Sequence, residues 1–131
     1  MSGYILDCDP ENLWAEQCTI AAAASVANGV YTQGRALVGI LMPAAWTAAS
    51  LGYDVSLDGV NWATAYDTNG NFEQTIVAAS VFVCIPLSDA IFAPYLRLKS
   101  VVAASPTVNT AQAQVAAATI ILLFRRYLGG S

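Results

Sequence analysis

The sequence has no histidine, and charged residues make up only 11% of its 131 positions. A typical soluble domain carries about 25%. Without histidine there is no Ser–His or Cys–His pair to activate a nucleophile. The three cysteines, Cys8, Cys18 and Cys84, show no metal-ligand spacing, and zinc sites need cysteine pairs or histidines. Free thiols are expected in a reducing compartment, with a Cys8–Cys18 bridge as the alternative. A glycine-rich phosphate loop is missing as well. Glycosidases work with paired carboxylates, but Asp54 and Asp58 flank a hairpin signal and Asp67 sits in a turn. The expectation is no enzyme activity, no catalytic residue, no metal and no cofactor.

Basic residues are scarce too. There are five, the net charge is −4, and the one adjacent pair is Arg125 and Arg126. Phosphate neutralisation needs a basic patch, so nucleic acid is not an expected partner. Long apolar runs are also lacking. The run over residues 36–53 is broken by Gly39, Pro43, Thr47, Ser50 and Gly52, and the run over 115–124 is short. A membrane span needs about 20 predominantly apolar residues, so none is expected. The first residues, MSGYILDCDPEN, lack a basic start and carry acids where a secretory leader is apolar. Synthesis in a cytoplasm follows.

What is present is apolar and neutral. Hydrophobic residues make up 56% of the chain, enough for one domain with a real core. Two readings fit the low charge. The surface is Ser, Thr, Asn and Gln, or much of it is covered by copies of the chain or a partner. Interface cores are depleted in charge.

The chain is organised around residues 37–67. Residues 51–57 and 60–66 flank Asp58 and Gly59, and an Asp-Gly pair between strand-like runs signals a type I′ hairpin. Residues 37–42 form the entering strand, which Pro43 ends, with a short connection or single helical turn over 43–49. Upstream, Asp9 and Pro10 are placed to start a short helix through ENLWAEQ. Residues 19–26 then read as a weak strand before an Asn28-Gly29 turn and a short strand at 30–32. Downstream come a turn at 67–71, a strand at 72–77, a well-buried strand at 80–85, and the clean alternation YLRLKSV at 95–101. Residues 103–113 read as a polar loop. TIILLF at 119–124 is apolar on both faces, as in a central strand or one covered by a partner.

About eight short strands predict an all-β fold: an antiparallel β-sandwich, jelly-roll-like, over residues 19–128. An N-terminal arm, 1–18, precedes it and a flexible tail, 129–131, follows. The arm holds four of the nine acids together with Tyr4, Leu6, Leu13 and Trp14, the candidate partner contacts, since large aromatics suit an anchor. Trp46, Trp62 and Tyr66 are candidate ligand-facing aromatics. Trp62 and Tyr66 share a strand parity, so they line one face.

Two resemblances add to this. Residues 53–62, YDVSLDGVNW, followed by Tyr66, resemble the Y-x-V-x-x-S-x-D-G-x-x-W hairpin of discoidin-like, galactose-binding-like jelly rolls, with shortened spacing. Residues 95–98, YLRL, resemble a late strand of that fold. The same SLDGVNW segment departs by one residue from the sialidase Asp-box. More broadly, residues 36–126 resemble small proteins encoded among the virion genes of tailed bacteriophages. That resemblance implies a virion structural protein, with a capsid decoration (cement) role foremost. It would bind the major capsid protein lattice as a homo-oligomer, a trimer being favoured, on the capsid surface after assembly in the host cytoplasm. The alternative is a carbohydrate- or receptor-binding domain of a tail or head fibre.

Overall fold

The computed structural model describes residues 13–86, 93–102 and 110–126. All regular structure among them is β-strand: β1 (Leu13–Ile20), β2 (Val30–Tyr31), β3 (Ala36–Leu41), β4 (Ser50–Ser56), β5 (Ala63–Thr64), β6 (Gln74–Ile76), β7 (Phe82–Cys84), β8 (Tyr95–Val101) and β9 (Ala118–Arg125). They form two antiparallel sheets. The four-stranded sheet runs β1-β9-β3-β7. The five-stranded sheet runs β2-β8-β4-β5, with β6 also paired to β4. This is a β-sandwich, as the strand count predicts.

Alternation builds the core. In β9, Ala118, Ile120, Leu122 and Phe124 are buried, and in β8 Leu96 and Leu98 are buried. They meet Cys18, Ile20, Leu37, Ile40, Leu51 and Tyr53 between the sheets. Burial pushes the Cys18 thiol up to about 12 and, as the main cause, lifts the Tyr53 phenol to about 12. Neither ionises at neutral pH. Cys18 is a free thiol, and Cys8, its alternative bridge partner, lies outside the described residues.

Four expectations are corrected. The boundary at residue 18 falls inside β1, which pairs with β9 from Leu13↔Arg125 to Ile20↔Ala118. The sandwich thus includes Leu13 and Trp14, and the helix read through ENLWAEQ is a strand from Leu13 onward. An eight-residue ladder that buries Cys18 and Ile20 outweighs weak local helix signals. Second, the Asp58 hairpin is real, with Asp54↔Thr64 and Val55↔Ala63 paired, but its loop covers residues 57–62. A type I′ turn needs positive φ at both central residues, and here only Gly59 has it, at 79°. Asp58 instead caps the loop: Oδ1 accepts the N–H groups of Val60 and Asn61, each at 2.8 Å. Oδ2 accepts Nδ2 of Asn61. The Asn61 and Val60 N–H groups lead in holding the Asp58 carboxyl well below the usual range.

Third, the strand at 80–85 is not well buried. Among the described residues β7 is an edge strand paired with β3, and Phe82 is half exposed. Fourth, Asn28 and Gly29 close no hairpin, because β2 pairs with β8. The turn at 67–71 stands as read: Asp67 Oδ1 accepts the N–H groups of Asn69 and Asn71.

Candidate interaction surfaces

Of the arm residues, Tyr4 and Leu6 lie outside the described residues. Leu13 is half-buried opposite Arg125. Trp14 is not a free anchor. It packs on the core of its own sandwich, and the Arg35 guanidinium lies 4.8 Å from its ring centroid. Its side chain follows the β1 parity that carries Cys18 and Ile20 inward.

The three candidate ligand-facing aromatics separate. Trp46 packs against the main core and its Nε1 donates to the Ala49 carbonyl at 3.4 Å. Trp62 and Tyr66 do share a face with Thr64, as parity predicts. That face is turned onto the outer side of β4 and β8. There Asp54 is paired with two cations: its Oδ2 accepts Nη2 of Arg97 at 2.8 Å, and its Oδ1 lies 2.7 Å from Lys99 Nζ. Lys99 donates to Thr64 Oγ1 at 2.8 Å. The Arg97 guanidinium sits 4.5 Å from the Trp62 centroid, and Lys99 Nζ sits 5.6 Å from that of Phe72. Tyr66 meets Phe72 edge-on at 5.9 Å.

Burial alone raises the Asp54 carboxyl. The hydrogen bonds and charges of Lys99 and Arg97 more than reverse this, so it lies below the usual carboxylate value. The cluster is thus a second, small packing layer that closes the outer side of the five-stranded sheet. Trp62 is covered by Arg97 on one side and backs onto Gly29, where a Cβ would stand 2.8 Å from its ring. Of the two, Tyr66 is the more exposed.

This layer needs Gly52 bare. A Cβ there would stand 2.4 Å from Cζ of Phe72. Phe72 is buried and held by Tyr66 and Lys99, so its ring cannot swing out. Gly52→Ala is expected to cost about 1–3 kcal/mol, the range for overpacking, read as a lower urea midpoint with an unchanged slope.

Among the described residues, two surfaces are open. The first is one end of the sandwich. β4 ends, β8 begins and β2 ends there, since Ser56 pairs with Tyr95 and Tyr31 with Tyr95. The Tyr31 and Tyr95 rings stand 5.1 Å apart, and Gly59 of the capped loop packs on Tyr95. At the loop tip Leu57 is 85% and Val60 77% exposed. Residues 32–35 carry the chain across to Ala36, which pairs with Arg125, itself opposite Leu13. Leu13, the first described residue, therefore stands at this same end.

The second surface is the outer face of the four-stranded sheet. Register places Gly39, Leu41, Phe82, Cys84, Thr119, Ile121, Leu123, Ala15, Gln17 and Thr19 on it, with Leu13 and the charged Arg125 at one end. This is where the second apolar parity of TIILLF goes. Between the edges of the two sheets lies a cleft of about 440 Å³ between β6 and β7, with Leu37 and Tyr53 in its wall. The Tyr53 hydroxyl and Thr75 Oγ1 are hydrogen-bonded there.

Sequence reading did not anticipate the Asp54 ion cluster or the exposed aliphatic tip at Leu57 and Val60. The signal for the tip was available, since two aliphatics flank an Asp-Gly turn with no strand parity to bury both. No protein-family model matches the chain, and no curated protein is significantly similar to it.

Proposed function

We propose that this chain is a structural protein of a tailed-phage virion, a capsid decoration protein that packs onto the major capsid protein lattice. The observation that carries this reading is the exposed aliphatic tip at one end, Leu57 and Val60 beside Tyr31, at the end where β1 begins. An exposed apolar group rimmed by polar residues, here Asp58 and Asn61, marks a protein-binding site. The resemblance of residues 36–126 to phage virion proteins supplies the setting, and the low charge supports a role in an assembly.

On this reading, attachment is burial without chemistry. Leu57, Val60 and Tyr31 insert at a junction between capsid subunits, and residues 1–12 with Tyr4 and Leu6 extend the contact. Burying a leucine or valine contributes about 1.5–3 kcal/mol. Many symmetric copies multiply a modest affinity on one shell. A glycan-binding role has less support, because Trp46 and Trp62 are engaged in internal packing.

The test is co-sedimentation with purified capsid shells lacking decoration. The intact chain is expected to saturate them. Leu57→Asp with Val60→Asp is expected to weaken occupancy at least about tenfold, the equivalent of about 1.4 kcal/mol. Both positions are exposed, so stability is expected to move by about 0.5 kcal/mol or less. Removing residues 1–12 leaves β1 whole and is expected to lower occupancy while the sandwich stays folded. Full occupancy in both variants would overturn the reading.

A further inference from the structure

We infer that Arg35, laid on Trp14 at the end of the sandwich where β3 begins, is a receptor for a carboxylate group. The inference does not rest on the virion reading. It rests on two like arrangements in one molecule. Two arginines lie on tryptophan rings, Arg97 on Trp62 at 4.5 Å and Arg35 on Trp14 at 4.8 Å. Arg97 has its carboxylate: Nε and Nη2 both donate to Asp54 Oδ2, at 3.2 and 2.8 Å. Among the described residues Arg35 has none. Its Nη1 donates to Gln33 Oε1 at 2.6 Å. That bond orients the guanidinium and leaves the Nε–Nη2 edge, the edge Arg97 gives to Asp54, without an anion.

Two donors mark the gap. Among the described residues, Arg35 Nε and Trp14 Nε1 are sealed from solvent and have no hydrogen-bond partner. A buried donor left unmatched is costly, most of all on a charged group. A planar guanidinium on an aromatic face, with one edge open, suits two parallel bonds to a carboxylate. Arg35 as a whole is half-buried, so a turn of its long side chain presents that edge to an incoming group.

Charge points the same way. Of the five basic residues, Arg97 and Lys99 are held by Asp54. Ala36 pairs with Arg125, so one step further Arg35 and Arg126 stand opposite each other, and Arg126 is exposed. Like charges facing across strands destabilise each other, and an anion between them offsets this. Glu16 stands opposite Leu122, farther along the sheet. The Asp58 carboxylate, at this end, is taken up by its own loop. The described acids therefore leave Arg35 without a counter-charge. A carboxylate can come from Asp7, Asp9 or Glu11, which precede Leu13 in sequence, or from another protein.

The test is a nuclear magnetic resonance titration of the full chain with acetyl-triglutamate amide, against acetyl-triglutamine amide as the neutral control. The Arg35 Nε–H and Trp14 indole N–H signals are expected to shift saturably with triglutamate and not with triglutamine. The Arg97 Nε–H signal, already bound to Asp54, is expected to stay. Arg35→Gln is expected to weaken the affinity at least about tenfold, read at Trp14. Arg35→Lys keeps the charge but not the fork, and is expected to lose most of the affinity too. Arg126→Gln, at an exposed position, is expected to give a smaller loss. It serves if both Arg35 variants lose the wild-type far-ultraviolet dichroism.

The same titration of a chain carrying Asp7→Asn, Asp9→Asn and Glu11→Gln separates the two sources. A response in this variant but not in wild type would mean that the chain's own acids already fill the site. An equal response in both would assign the site to a carboxylate of another protein. Silence in both chains would overturn the proposal, as would triglutamate binding undiminished by Arg35→Gln.

Discussion

Asp54→Ala is expected to destabilise the sandwich by about 3 kcal/mol, read as a lower urea midpoint. Asp54 joins two cations whose side chains are themselves sheltered, Lys99 at 11% and Arg97 at 28% exposure. Removing one partner of a buried pair leaves an uncompensated charge, at a cost of about 3–5 kcal/mol. Arg97 keeps enough solvent to put the expectation at the low end. If the cost is the stranded Lys99, then adding Lys99→Met to Asp54→Ala should recover part of it. No recovery would mean that the carboxylate acts through packing alone.

The same site sets a pH dependence. The folded state holds the Asp54 carboxyl below its usual value, so the unfolded chain takes up the proton first as pH falls. The stability from Asp54 is complete above the ordinary carboxylate value of about 3.9. It is lost as pH drops below that toward the folded-state value. The Asp58 carboxyl is held down as well, so its contribution is also lost with acid. Comparing wild type with Asp54→Asn between pH 6 and 2 isolates the Asp54 share, and the gap between the two should narrow with acid.

Strand identity was legible wherever the pattern was strong. YLRLKSV is β8 almost to the residue, because alternating Leu96 and Leu98 can face only one way into a core. TIILLF is central, as its two apolar faces imply. What local pattern cannot supply is the partner. LWAEQ carries helix-compatible residues, and only the β9 ladder makes it a strand. SVFVCI reads as buried because Val and Phe are usually buried, yet its position at the sheet edge is fixed by topology. The Asp-Gly signal located the hairpin but not its loop length, since the Asp58 side chain caps a longer loop than the backbone rule assumes.

The sites were legible to a lesser degree. Trp62 and Tyr66 shared a face as parity required, but Arg97 lies 35 residues beyond the Trp62 it covers, and Phe72 lies 6 residues beyond the Tyr66 it meets. Arg97 and Lys99 pointed out of the core as expected. That they point at Asp54 rather than at water depends on β4 pairing with β8, which no local signal encodes.

Gln114 is the position where that blindness matters most, and Gln114→Ala is expected to cost about 2–4 kcal/mol. It reads as one more neutral residue after a polar loop, yet it is fully buried. Its Oε1 accepts the Thr47 N–H at 2.7 Å, and its Nε2 donates to the Thr47 carbonyl at 3.0 Å and to Ser100 Oγ at 2.9 Å. Its own backbone N–H reaches the Ala24 carbonyl, and its carbonyl accepts the Ala23 N–H. One amide thus ties the β3–β4 connection to β8 and to the loop after β1. A side chain cut back to alanine removes the partners of the part-buried Thr47 N–H and carbonyl, about 1–3 kcal/mol, and leaves a cavity. Gln114→Met separates the two effects, since it fills the space and restores no hydrogen bond. The expected order of urea midpoints is wild type, then Gln114→Met, then Gln114→Ala. The Thr47 amide should exchange faster with solvent in both variants. A Gln114→Met protein as stable as wild type would show that volume, not the hydrogen bonds, holds this connection in place.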